Sequence, residues 1–140
     1  MTLRFQVTFD CEDPHQMARF WSAALGYEKE DHSDFVESLL SSGALQPSDT
    51  VEADGGRQFS AVSACHDPTG QCPRLYFQRV PEPKAQKNRV HLDLHAGPER
   101  YEAEAARMET LGARKLYFSD DRGARTWTMA DIEGNEFCVH

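Results

Sequence analysis

The 140-residue sequence carries only four cysteines, Cys11, Cys65, Cys72 and Cys138, and none of them form a CxxC pair. That spacing excludes zinc-finger and thioredoxin-type motifs, so the four are expected to be reduced thiols behaving as small hydrophobes. No apolar run approaches the roughly 20 residues that a bilayer crossing needs, which leaves no expected membrane partner. Positive charge is scarce: 15 Lys and Arg stand against 23 Asp and Glu, for a net charge of −8. Without a basic stripe there is no means of displacing counterions from a phosphate backbone, so no nucleic-acid partner is expected. Met1-Thr2-Leu3-Arg4-Phe5 lacks the apolar core of a secretory signal, and a cytoplasmic location is the expectation.

What is present describes a folded globular protein. Hydrophobic residues make up 39% and charged residues 27%, and the length suits one domain, residues 1–140. Phe5, Val7, Phe9 and Cys11 alternate with Gln6, Thr8 and Asp10, which predicts a strand over 4–11 with one apolar face. Asp13-Pro14 supplies a helix cap and a first-turn proline. Met17, Phe20, Trp21, Ala24 and Leu25 then follow at helical spacing, and Gly26 closes the helix. A short strand at 27–30 is followed by a different stretch, 34–56. It opens with an amphipathic segment (Phe35, Val36, Leu39, Leu40) and continues as a loop of Ser, Gly, Pro and Asp. Strands at 57–64 and 74–80 complete the first half.

The plan that starts at Gln6 starts again at His91. Val90, Leu92 and Leu94 alternate with His91, Asp93 and His95. Gly97-Pro98 opens a helix with Tyr101, Ala105, Met108 and Leu111, closed by Gly112. Strands at 114–118, 125–130 and 136–140 follow. Both halves read strand, helix, Leu-Gly, three strands, so the chain is expected to be a duplicated βαβββ unit. The first module spans about 3–80 with the insertion at 34–56, and the second about 88–140.

Several segments resemble the vicinal-oxygen-chelate superfamily, and most closely its glyoxalase-like domains, which include bleomycin-resistance proteins and extradiol dioxygenases. They are Val7-Thr8-Phe9-Asp10-Cys11-Glu12-Asp13-Pro14, Phe20-Trp21, Leu25-Gly26-Tyr27, Lys87-Asn88-Arg89-Val90-His91-Leu92-Asp93-Leu94, Leu111-Gly112-Ala113 and Asp131-Ile132-Glu133-Gly134-Asn135-Glu136-Phe137-Cys138. Ile132 departs from the pattern, since the family usually has proline there. The resemblance implies an α+β fold in which two βαβββ modules form a cupped sheet. It also implies a divalent ion in metal-using members, held by four cup-facing side chains and acting as a Lewis acid on paired substrate oxygens. Carried onto this sequence, the four positions are Gln6, Gln78, His91 and Cys138.

That set lacks the carboxylates hard ions require, and two of its members are neutral amides. No metal cofactor is therefore assigned. A divalent ion stays open as an alternative, either at those positions or on an H-x-D-x-H row of His91, Asp93 and His95, which strand geometry spaces about 7 Å apart. In the metal-free version His91 is the acid–base residue and Asp93 its orienting partner, with ligand contacts from Gln6, Tyr76, Gln78, His95, Trp127, Met129 and Cys138. Trp127 and Met129 enter by strand parity, as an apolar wall opposed to the helix-facing set. The 34–56 insertion is a candidate lid. The partner is a small molecule, and whether two chains pair is open. Two function classes stay in play: a lyase, isomerase or dioxygenase acting on a small oxygenated metabolite, and a non-catalytic drug-binding protein of the bleomycin-resistance type. A domain whose site has decayed is the third.

Overall fold

The computed structural model describes all residues, Met1–His140, and the chain divides into two compact units, Met1–Glu82 and Pro83–His140. In the first, β1 (Val7–Cys11) leads into α1 (Pro14–Leu25). Asp13 caps that helix, its carboxylate accepting from the backbone N–H groups of His15 and Gln16 at 3.0 and 3.1 Å. Gly26 ends it at φ 71°, a left-handed conformation that costs a residue with a Cβ far more than glycine. Next come β2 (Glu28–Lys29), α2 (Ser33–Ser42), a 3₁₀ turn at Pro47–Asp49, β3 (Thr50–Ala53), β4 (Gly56–Phe59), β5 (Val62–His66) and β6 (Leu75–Arg79). β1, β6, β5 and β2 form one sheet in that order, with β1 and β6 parallel, while β3 and β4 form a separate hairpin.

Strand register sorts the first sheet into two faces. Val7, Phe9, Leu75, Phe77, Ser63 and Cys65 share one of them. Phe9 stacks on Phe77 and meets Trp21 of α1, at ring separations of 5.3 and 5.4 Å, so this is the face the helix covers. Trp21, Phe77 and Met17 are wholly buried there. The opposite, open face carries Thr8, Asp10, Tyr76, Gln78, Val62 and Ala64.

The second unit contains β7 (Leu92–Leu94), α3 (Tyr101–Thr110), β8 (Arg114–Asp121), β9 (Ala124–Ala130) and β10 (Glu136–Val139). Its sheet order is β7-β10-β9-β8, again with the first and last strands parallel. The two orders have one pattern: first strand, fourth, third, second. Each unit is thus a βαβββ module, as the duplicated sequence plan predicts. Phe137, Val139, Met129 and Ala105 form the core between sheet and helix. Gly112 follows α3 at φ 111°, and a Cβ there would lie 2.9 Å from the Ile132 side chain, so the second Leu-Gly is held by packing as well as by conformation. A bulge after Lys115 interrupts the pairing of β8 with β9.

Two expectations fail in the first unit. Residues 43–56 are more than a loop, because the Asp54-Gly55 turn, with φ of 54° and 80°, closes the β3–β4 hairpin. Nor does the insertion cover the open face. Asp54 accepts from Arg19 of α1 at 3.1 Å and pairs with Lys29 at 2.5 Å, while His15 of α1 bonds the Phe59 carbonyl at 2.7 Å. The insertion is anchored on the helix side of its sheet, which removes the argument for a lid.

Candidate functional site

Each open face is built by the period-two geometry of its strands, which in β1 and β6 turns Thr8, Asp10, Tyr76 and Gln78 away from the helix. In the first unit the Gln6 amide oxygen accepts from Arg74 Nη1 at 3.0 Å, and the Gln78 amide nitrogen donates to Asp10 Oδ1 at 2.8 Å. Arg74 is the hub. Its Nε and Nη2 reach Glu30 at 2.8 and 2.7 Å, and its guanidinium lies 5.3 Å from the Tyr76 ring centre. His66 flanks the Glu30 carboxylate at 3.8 Å and lies 3.7 Å from that of Glu28. Gln6, Tyr76 and Gln78 therefore share one face of one sheet, but the two amides are engaged with different charged partners.

In the second unit, Cys138 pairs with Asp93 across β10 and β7, and with Thr128 across β10 and β9. His91 Nδ1 lies 3.0 Å from Asp93 Oδ1, and the ligating atoms of His91, Asp93 and Cys138 all fall within 4.8 Å of one another. Burial pushes the Cys138 thiol up from its ordinary pKa; the Asp93 carboxylate adds to this, and the Thr128 hydroxyl, at 3.6 Å from the sulfur, works against it. The sulfur is thus kept as a neutral thiol, unsuited to nucleophilic attack. One strand step further on, His140 Nε2 meets His95 Nδ1 at 2.7 Å. His95 is thereby drawn to β10 rather than into a row with His91 and Asp93. Sequence spacing missed His140 as its partner, although the parallel register of β7 and β10 supplies it.

Trp127 and Met129 are on the other side. They pair with Val139 and Phe137, and Met129 is wholly buried in the helix-covered core. The Trp127 ring sits beneath the Lys115 ammonium at 4.5 Å, and Lys115 itself faces Glu102 and Glu109 of α3. Their expected place on the ligand face is corrected: parity counted within β9 alone could not say which side Cys138 would share, and the β9–β10 register does.

The donor set can be tested against the ion that metal-using relatives imply. Gln6 offers its carbonyl oxygen to a guanidinium, which places a fixed positive charge where a cation would need a ligand. Gln78 is tied to Asp10, and Cys138 offers a soft sulfur where a hard ion wants oxygen. The four positions do not fit a hard divalent ion.

Residues 6–140 match the model of the family described as Glyoxalase-like domain. No curated protein sequence matched. Among solved structures, the chain is similar to fosfomycin resistance protein FosX from Mesorhizobium loti, at 16% identity and TM-score 0.66, covering 100% of this chain and 91% of that one. A FosX mutant from Listeria monocytogenes, complexed with Mn(II) and 1S,2S-dihydroxypropylphosphonic acid, matches at 10% identity and TM-score 0.64, covering 100% and 90%. A glyoxalase/bleomycin resistance protein/dioxygenase family enzyme from Burkholderia phytofirmans matches at 11% identity and TM-score 0.63, covering 95% and 93%. With the duplicated βαβββ topology and the match over residues 6–140, the chain belongs to the glyoxalase-like domain family.

Proposed function

We infer that the open face of the second unit is a small-molecule site that uses His91 for general acid–base chemistry on an oxygenated metabolite, without the metal set of its relatives. The 3.0 Å contact between His91 Nδ1 and Asp93 Oδ1 carries this reading. A carboxylate beside one ring nitrogen fixes that nitrogen as the N–H donor and leaves Nε2 as the proton acceptor. Asp93 also stabilises the imidazolium formed when His91 takes a proton, and Cys138 and Thr128 add neutral polar groups beside it. The reaction class that suits one positioned base is proton removal next to a carbonyl, as in an isomerase or lyase. The committed amides of Gln6 and Gln78 support a metal-free version of the site.

The experiment follows hydrogen exchange at carbon. Tagless protein stripped with EDTA is incubated with hydroxyacetone in D₂O, and loss of the C–H signal is read by proton NMR. The wild type is expected to speed exchange, and His91→Gln to reduce that rate about 100-fold or more. Unchanged exchange in His91→Gln would remove the proposal. The binding-protein reading draws on the exposed acids Asp10 and Glu28 of the first unit. It gains if no exchange is seen while a cationic dye such as acridine orange raises the melting temperature.

A further inference from the structure

The parallel pairing of β7 and β10 does more than place His91. Its register runs Phe137 with Leu92, Cys138 with Asp93 and Val139 with Leu94, so the next step sets His140 beside His95. The open face of this one strand pair thus presents His91, Asp93 and His95 alongside Glu136, Cys138 and His140. Three groupings result. Glu136 is consumed by Lys84 at 3.1 Å and by the backbone N–H of Asn88 at 3.0 Å. His91, Asp93 and Cys138 cluster together. His95 and His140 are left to each other, with nitrogens 2.7 Å apart and ring centres 4.5 Å apart.

The backbone beneath that last pair is pinned. His140 N–H donates to the Leu94 carbonyl at 3.0 Å, and the His140 carbonyl accepts from Ala96 and Gly97 at 2.6 and 3.0 Å. The rings are therefore fixed at their roots while His95 remains exposed and His140 half-exposed. No salt bridge ties either imidazole to a carboxylate, and the contact that occupies their facing nitrogens is the one they make with each other.

We propose that His95 and His140 form a separate, open cation site that takes one borderline d-block ion of the Zn²⁺, Co²⁺ or Ni²⁺ type. Paired imidazole nitrogens suit such ions, whereas Mg²⁺ and Ca²⁺ look for carboxylate oxygens. With the rings now in contact, one nitrogen must carry the hydrogen and the other accept it. On binding, the ring that donates releases that proton to solvent and takes one up at its outer nitrogen, so each ring ends with a single outer N–H and turns a lone pair to the ion. Zinc–nitrogen bonds of about 2.0–2.1 Å require the facing nitrogens to part by less than about 1 Å. Two protein ligands leave the remaining positions to water or to an incoming donor. The site lies one strand repeat beyond Asp93 and Cys138 and uses neither them nor His91, so it does not depend on the chemistry proposed at His91.

The test uses the full chain, tagless and freed of metal by EDTA and dialysis, titrated with Co²⁺ by visible absorption and with Zn²⁺ by calorimetry. One ion per chain is expected. Losing a ligand should cost at least as much as losing an outer-shell partner, so His95→Gln and His140→Gln should each weaken binding by about tenfold or more. Cys138→Ser should leave it unchanged, and the Co²⁺ spectrum should lack a sulfur charge-transfer band. Melting curves of both histidine variants establish that they are folded. No binding of either ion would overturn the proposal, as would binding that survives both histidine substitutions. A sulfur band lost in Cys138→Ser would also overturn it, by assigning the ion to the His91, Asp93 and Cys138 cluster.

Discussion

Among the cysteines, position in the sheet decides chemistry. Cys65 is fully buried on the helix-covered face, and burial, with the charge of Glu30 adding to it, pushes its thiol up to about 12. Cys72 is exposed. Brief iodoacetamide labelling at pH 8, read by mass spectrometry, should therefore modify Cys72 and spare Cys65. Above pH 9 the unfolded chain releases the Cys65 proton while the folded chain keeps it. This term is thus fully present below the ordinary thiol pKa and is lost as pH rises toward 12, so alkali should lower the melting temperature and Cys65→Ala should flatten the decline. The polar faces were legible at this scale, since alternation alone puts Gln6 opposite Val7, and Asp93 opposite Leu92 and Leu94. Partners were not legible. Which acid Gln78 meets, and that His95 meets His140, depend on contacts between strands far apart in sequence.

At the scale of the element, α1 shows what local signals can specify. Asp13, Pro14 and Gly26 mark its ends because capping and left-handed termination need no distant contact. Asp13→Ala should cost about 1 kcal/mol, measurable by urea unfolding, by freeing the His15 and Gln16 amides. The β3–β4 hairpin had an equally local signal in Asp54-Gly55, a pair suited to a two-residue turn, yet the Ser, Gly and Pro around it read as loop. Its docking onto α1 through Asp54 and Phe59 was beyond reach, because ion pairs and carbonyl contacts of that kind leave no periodic trace. The faces of β9 failed for a related reason: Trp127 and Met129 alternate with Thr126 and Thr128, and only pairing with β10 tells the core side from the ligand side.

For the molecule as a whole, the repeated strand order was the most legible feature, since duplication writes the same signals twice. Each half also buries one large aromatic on its fourth strand: Phe77 on β6 and Phe137 on β10, both fully enclosed. Phe77→Ala and Phe137→Ala should each destabilise the protein by about 3–5 kcal/mol in chemical denaturation. That is a large part of the roughly 5–15 kcal/mol that holds a domain folded.

The two halves differ most in the link between their second and third strands. In the first, that link has grown to hold α2 and a hairpin, and both flanking strands kept their register. In the second it is the two-residue turn Arg122-Gly123, with φ of 57° and 79°. A guest sequence spliced between Arg122 and Gly123 would enter at a junction whose counterpart has already absorbed a passenger, which makes this turn the natural graft point for a reporter or sensor module.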